Sequence, residues 1–167
     1  MQTLVPPEKS WVGHAAWSPD SRRLAVGFGN GTTNSLVYVW DTDSGELLQT
    51  LDTVGKFIQS IAWHPTIPDL IAVSQNANLP MEFWDVAKGN RVDSRTKWRT
   101  WTFDALCWSP NGKQLAIAGW RPQIIDWKSR TVIKILSEQH TDNATNVCFS
   151  RDGSQLVTVA DLSLIHI

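Results

Sequence analysis

Short apolar runs recur along the chain, each closed by a polar turn, and no apolar stripe at helical spacing lasts the ten or so residues that a helix needs. The first kind of run closes in an aromatic: Ala16-Trp17-Ser18-Pro19-Asp20, Ala62-Trp63-His64-Pro65, Cys107-Trp108-Ser109-Pro110-Asn111-Gly112 and Cys148-Phe149-Ser150-Arg151-Asp152-Gly153, with aromatics 46, 45 and 41 residues apart. A second run follows seven residues after each aromatic, at Leu24-Ala25-Val26-Gly27, Leu70-Ile71-Ala72-Val73, Leu115-Ala116-Ile117-Ala118 and Leu156-Val157-Thr158-Val159. A third ends in Asp: Val37-Tyr38-Val39-Trp40-Asp41, Met81-Glu82-Phe83-Trp84-Asp85 and the degenerate Gln123-Ile124-Ile125-Asp126. Gly45, Gly89 and Arg130 then open a fourth, such as Leu47–Leu51 or Val132–Leu136.

These runs are rich in β-branched and aromatic residues and are separated by Ser-Pro-Asp, Asn-Gly and Asp-Ser-Gly turns, which is hairpin chemistry. Each repeat therefore reads as a four-stranded antiparallel meander. Along the first strand Ile61 and Trp63, Leu106 and Trp108, and Val147 and Phe149 point one way, while Ala62, Cys107 and Cys148 point the other. A sheet apolar on both faces, one bulky and one small, has to be sandwiched between copies of itself. Radial stacking does this, so the expected fold is all-β: a β-propeller fragment of four-stranded blades forming an open arc. The expected boundaries are an N-terminal segment 1–10, blades at about 11–51, 56–95 and 99–136, and a partial blade at 140–161.

The repeats resemble the WD-repeat β-propellers. The resemblance rests on Trp40-Asp41 and Trp84-Asp85, on the Ser-Pro-Asp and Ser-Pro-Asn-Gly turns, and on Gln139-His140-Thr141-Asp142 nine residues before Phe149. It implies structural roles for Trp40, Asp41, Trp84 and Asp85, and a structural bond between His140 and Asp161, with Gln139 where the family has Gly. The third copy departs most, with Ile125 in place of Trp and Arg130 in place of the turn Gly.

Seven blades of about 43 residues would need about 300, so the chain corresponds to about half of a commonly sized ring. The final Leu162-Ser163-Leu164-Ile165-His166-Ile167 has two readings. Ser163–Ile167 aligns with the third strand at Ser35–Val39, and all six residues equal the translation of a common transposon-end sequencing adapter, CTG-TCT-CTT-ATA-CAC-ATC. The second reading makes 162–167 a non-native tail and Asp161 the last natural residue. An open arc also leaves sheet faces wet, so self-association through open edges is expected.

Composition narrows the functional classes. The chain has 167 residues, 42% of them hydrophobic, 19% charged and a net charge of −1, which fits a packed domain and not a polycationic nucleic-acid arm. No apolar run approaches the ~18 residues of a membrane span, and the N-terminus lacks the order of a secretory signal. Cys107 and Cys148 form no CxxC pair, so no disulfide framework or zinc knuckle is expected, and an intracellular, cytoplasmic setting is preferred. The four histidines show no metal-ligand spacing, no Gly-x-Ser-x-Gly elbow or phosphate-binding loop is present, and no cofactor is expected. Gly27-Phe28-Gly29-Asn30-Gly31 reads as a hairpin connection.

Ten tryptophans against one tyrosine and five phenylalanines call for an explanation. Trp17, Trp40, Trp63, Trp84 and Trp108 stand at repeat positions and are expected in the core. Trp11 shares the position of Phe57, six residues before the strand aromatic, and is expected to be structural as well. No common register covers Trp98, Trp101, Trp120 and Trp127. Trp98, Arg99 and Trp101 lie between blades 2 and 3, and Trp120 and Arg121 lie in the loop after the second strand of blade 3, two loop types that emerge at one end of a meander. Trp and Arg dominate interface hot spots, so these five form the candidate surface for a protein or peptide partner. Stacking on single-stranded nucleic acid is disfavoured because no wider basic face accompanies them. The leading function is a non-catalytic interaction scaffold. The alternative is a substrate-filtering propeller resembling those of the translocation protein TolB or of serine peptidases, with a catalytic domain outside this chain.

Overall fold

The computed structural model describes residues 3–7, 11–29, 31, 34–75, 79–93, 104–136, 143–160 and 165–166. They form strands β1 (Trp11–Trp17), β2 (Arg23–Gly29), β3 (Leu36–Asp41), β4 (Leu47–Asp52), β5 (Ile58–Trp63), β6 (Leu70–Gln75), β7 (Glu82–Asp85), β8 (Asn90–Asp93), β9 (Leu106–Trp108), β10 (Gln114–Ile117), β11 (Gln123–Asp126), β12 (Thr131–Ile135), β13 (Ala144–Phe149), β14 (Leu156–Ala160) and β15 (Ile165–His166). Four antiparallel sheets result, ordered β1-β2-β3-β4, β5-β6-β7-β8, β9-β10-β11-β12 and β13-β14-β15. No helix among the described residues is long and apolar enough to cross a membrane. The sheets stack as blades of an open β-propeller, with β1 against β5, β5 against β9 and β9 against β13. β15 pairs with β14 through Val159–Ile165 and Thr158–His166, the third-strand position of the fourth blade.

Each blade turns a bulky face toward the blade before it and a small-residue face toward the blade after it. The trailing face of blade 1 offers Ala16, Ala25, Val37, Val39 and Leu51, and the leading face of blade 2 fills it with Ile61, Trp63, Ile71, Val73, Trp84 and Val86. The next seam repeats the arrangement, with Ala62, Ala72 and Phe83 meeting Leu106, Trp108, Leu115, Ile117 and Ile125. In the third, Cys107, Ala116 and Ala118 meet Val147, Phe149 and Leu156. A polar bond recurs inside the apolar seams: the Trp63 indole Nε1 donates to the Ala16 carbonyl at 3.0 Å, and Trp108 Nε1 donates to the Ala62 carbonyl at 3.2 Å. Phe149 has no indole nitrogen to continue the series.

Several expectations need correction. The spacing of seven between aromatic and second strand pairs Trp17 with Leu24, Trp108 with Leu115 and Phe149 with Leu156, but Trp63 pairs with Ile71, eight residues on. The turn His64-Pro65-Thr66-Ile67-Pro68-Asp69 is one residue longer, which moves Leu70 onto the trailing face. Trp40, Trp63, Trp84 and Trp108 are buried, but Trp17 is 58% exposed because none of the described blades packs on its leading face. Trp11 stacks on Phe57 of blade 2, centroids 6.1 Å apart and planes within 5°, yet remains 69% exposed. Trp127 does have a register: like Val86 it follows the third-strand Asp, and it packs T-shaped on Trp108 at 5.0 Å and against Phe83 at 4.7 Å. β2 runs through Gly29, so Gly27 and Gly29 belong to a strand rather than a connection. A Cβ on Gly27 would stand 2.6 Å from the Ile58 side chain, and one on Gly29 would stand 2.3 Å from the Lys56 carbonyl, so these glycines allow blade 2 its close approach.

Candidate functional site

The third-strand Asp shapes the turn toward the fourth strand. Asp41 Oδ1 accepts the Ser44 backbone N–H at 2.7 Å and its hydroxyl at 2.9 Å, Asp85 Oδ1 accepts Lys88 N–H at 3.0 Å, and Asp126 Oδ1 accepts Ser129 N–H at 2.7 Å. These bonds hold the Asp41 and Asp126 carboxyl groups below their ordinary value, and at Asp85 the Lys88 ammonium, donating to Oδ2 at 2.8 Å, does so ahead of the Lys88 N–H. Each turn ends on a left-handed residue, Gly45, Gly89 or Arg130, the last at φ 59°. Arg130 accepts a conformation natural to glycine while its guanidinium covers the Trp127 ring and lies 5.1 Å from the Phe83 centroid.

At the opposite end of blade 3 lies the loop of the candidate surface. Residues 118–122 join β10 to β11 and are pinned at both ends. Ala118 N–H donates to Ala105 O at 2.9 Å, Gly119 O accepts Ala144 N–H from blade 4 at 3.1 Å, and Pro122 O accepts Leu136 N–H at 2.7 Å. Between these anchors Trp120, 58% exposed, and Arg121, also exposed, project outward. Asp104, the first described residue after the 94–103 segment, donates its N–H to Ala118 O at 3.3 Å, and its carboxylate accepts the Asn143 side-chain amide. The connection entering blade 3 and the connection entering blade 4 thus meet beside the Trp120 loop. Trp98, Arg99 and Trp101 lie outside the described residues, as do His140 and Asp161.

Two buried polar groups escaped the sequence reading. His64, 2% exposed, stands where the other first-strand turns carry Ser18, Ser109 and Ser150. Its Nδ1 accepts the backbone N–H groups of Thr66 at 3.2 Å and Ile67 at 3.0 Å, which leaves Nε2–H to donate across the seam to Gly112 O at 3.0 Å. The ring packs at 4.5 Å from Trp108 and 5.9 Å from Trp127. Burial lowers its pKa and Arg130 nearby acts in the same direction, against the bond to Gly112. Glu82, 1% exposed, accepts Trp84 Nε1–H at 3.0 Å and pairs with Arg91 at 2.9 Å, and burial raises its pKa against these partners. The signal for both was a polar residue at a position whose repeat equivalents do other work: His64 for Ser, and Glu82 for Tyr38 in the strand ending in Trp-Asp. His64 thereby ties blade 2 to blade 3, and Glu82 ties β7 to β8.

The comparisons with known proteins agree with this geometry. The family model described as "WD domain, G-beta repeat" matches residues 1–41, and the model described as "Eukaryotic translation initiation factor eIF2A" matches residues 30–163. The chain belongs to the WD-repeat propellers, within the eIF2A family. Similar curated proteins include Protein FIZZY-RELATED 3 of Arabidopsis thaliana, 29% identical over 91% of this chain and 31% of the relative. The anaphase-promoting complex subunit cdc20 of Dictyostelium discoideum is 26% identical over 86% of this chain and 29% of its own. The human U5 small nuclear ribonucleoprotein 40 kDa protein is 36% identical over 40% of this chain and 17% of its own. The WD-repeat chain spans less than a third of the length of each of these relatives.

Proposed function

We propose that this WD-repeat chain is a non-catalytic protein-interaction domain whose partner surface lies at the loop end of blade 3, with Trp120 and Arg121 at its described centre and Trp98, Arg99 and Trp101 contributing from the preceding connection. The observation that carries the reading is the pinned 118–122 loop. Its backbone is tied to both neighbouring connections, so Trp120 presents a large apolar surface to solvent at little further ordering cost. Two relatives carry names that place them in multi-component assemblies, a ribonucleoprotein and the anaphase-promoting complex, which supports a role in binding other proteins. Free Cys107 and Cys148 support an intracellular setting, with the cytoplasm favoured.

The test is quantitative partner recovery with the wild-type chain and with Trp98→Ala/Trp120→Ala. A hot-spot tryptophan removes about 2 kcal/mol or more when truncated, so recovery of each protein partner should fall by at least about tenfold. Unchanged recovery from a double variant that unfolds at the wild-type midpoint would overturn the assignment.

A further inference from the structure

The turn that makes blade 2 irregular also sets it apart chemically. The corresponding turns of blades 1, 3 and 4 read Pro19-Asp20-Ser21-Arg22, Pro110-Asn111-Gly112-Lys113 and Arg151-Asp152-Gly153-Ser154, whereas blade 2 has Pro65-Thr66-Ile67-Pro68-Asp69. Two clamps fix this turn. From beneath, His64 Nδ1 accepts the Thr66 and Ile67 N–H groups. From blade 1, Arg23 lies 4.8 Å from the Trp63 ring centroid, donates to Pro68 O at 2.7 Å and pairs with Asp69 at 2.7 Å. Ile67 is thereby held 43% exposed, with Thr66 and Pro68 exposed beside it. Between this turn and Pro19-Asp20 of blade 1 runs a groove of about 310 Å³, lined by Pro19, Asp20, Arg23, Pro65, Thr66 and Pro68. The groove sits over the junction of two described blades, a place that no further blade of a ring occupies.

We infer that this groove takes a segment of a partner protein in which an aliphatic side chain is flanked by lysine or arginine. Three prolines supply the apolar bed, and both walls are already ordered, so an aliphatic side chain enters at little ordering cost. Charge selects the flanks. The Arg23 guanidinium is committed to Asp69 and Pro68, and Lys88 on blade 2 is paired with Asp85 at 2.8 Å. Thr42 ties the Asp41–Glu46 turn to the blade 1 wall, donating its N–H and its hydroxyl to Arg22 O at 2.9 and 3.0 Å. Blade 1 therefore carries exposed Asp20, Asp43 and Glu46 at this end against exposed Arg22. Asp20 stays ionised at neutral pH because the Ser18 hydroxyl and the Arg22 N–H both donate to it. An acidic wall beside an apolar bed attracts a cationic segment and repels an anionic one. The groove lies at the end of the blades opposite the Trp120 loop and does not depend on that reading.

Fluorescence anisotropy provides the test, with the 167-residue chain titrated into a labelled peptide, Gly-Arg-Lys-Leu-Lys-Arg-Gly. Binding should saturate below about 1 mM and weaken at least about fivefold between about 50 and about 500 mM salt. Glycine in place of the peptide's leucine should cost about tenfold. Thr66→Trp, which sets an indole in the groove, and Asp43→Lys/Glu46→Lys, which reverses the charge of the wall, should each weaken binding about tenfold at an unchanged unfolding midpoint. Trp98→Ala/Trp120→Ala should bind the peptide as wild type does, which separates this surface from the Trp120 loop. No saturation up to about 1 mM, equal binding of the acidic counterpart Gly-Glu-Asp-Leu-Asp-Glu-Gly, wild-type affinity in a folded Thr66→Trp variant, or loss of binding in Trp98→Ala/Trp120→Ala would each overturn the inference.

Discussion

At the scale of single residues, the seams combine a buried ring with one hydrogen-bond donor. Trp108→Phe replaces a buried indole by a smaller ring and leaves the Ala62 carbonyl without its donor, so chemical denaturation should show a loss of about 1–3 kcal/mol. The same change at Trp17, whose ring faces solvent, should leave the monomer's stability within about 0.5 kcal/mol. His64 has a folded pKa depressed below its ordinary value near 6.5, because burial and Arg130 disfavour its charge and protonation of Nδ1 would displace the N–H groups of Thr66 and Ile67. Its contribution is therefore fully present above that ordinary value and is lost as pH falls through the lower folded value. Unfolding midpoints measured from pH 7.5 downward should decline below about 6.5, and His64→Gln should flatten part of that decline; His14, also depressed by burial, supplies another part. Burial raises the Cys107 thiol to about 11, so alkylation at neutral pH should be slower there than at exposed Cys148 in the monomer.

At the scale of the element, strand placement was legible because each run combines two-residue alternation with a distinctive turn. The trailing face was legible too, since alanine and cysteine occupy it in register after register. The offset of blade 2 was hidden: Leu70-Ile71-Ala72-Val73 is apolar throughout, so a shift of one residue leaves the pattern intact, and only the pairing of Trp63 with Ile71 reveals it. Trp127 was missed for a related reason, since its equivalents Thr42 and Val86 differ from it in size and polarity and hide a shared position. Of the candidate surface, the shared loop end follows from the meander, whereas the anchoring of 118–122 depends on how Gly119 and Pro122 are tied to blade 4 and to the outer strand, which the sequence does not display. The glycines of β2 give a direct test of close approach between elements. Gly29→Ala brings a methyl group against the Lys56 backbone and should cost about 1–3 kcal/mol, read from the unfolding midpoint.

At the scale of the whole molecule, and among the described residues, blades 2 and 3 each have a neighbour on both faces, whereas blade 1 and the described three strands of blade 4 each have one. In a stacked array stability is carried by repeats and by the interfaces between neighbours, so it should peak in the middle. Amide hydrogen exchange should show the slowest exchange in β6 and β10, with faster exchange in β13 and β14. Equal protection across all four sheets would show that the blades unfold as one unit. Because the junctions share one plan of aromatic plug and small-residue socket, a gene encoding such blades gains or loses a repeat by duplication or deletion with little new interface to invent. The boundary between blades 3 and 4 departs from that plan, since phenylalanine stands in for the hydrogen-bonding indole.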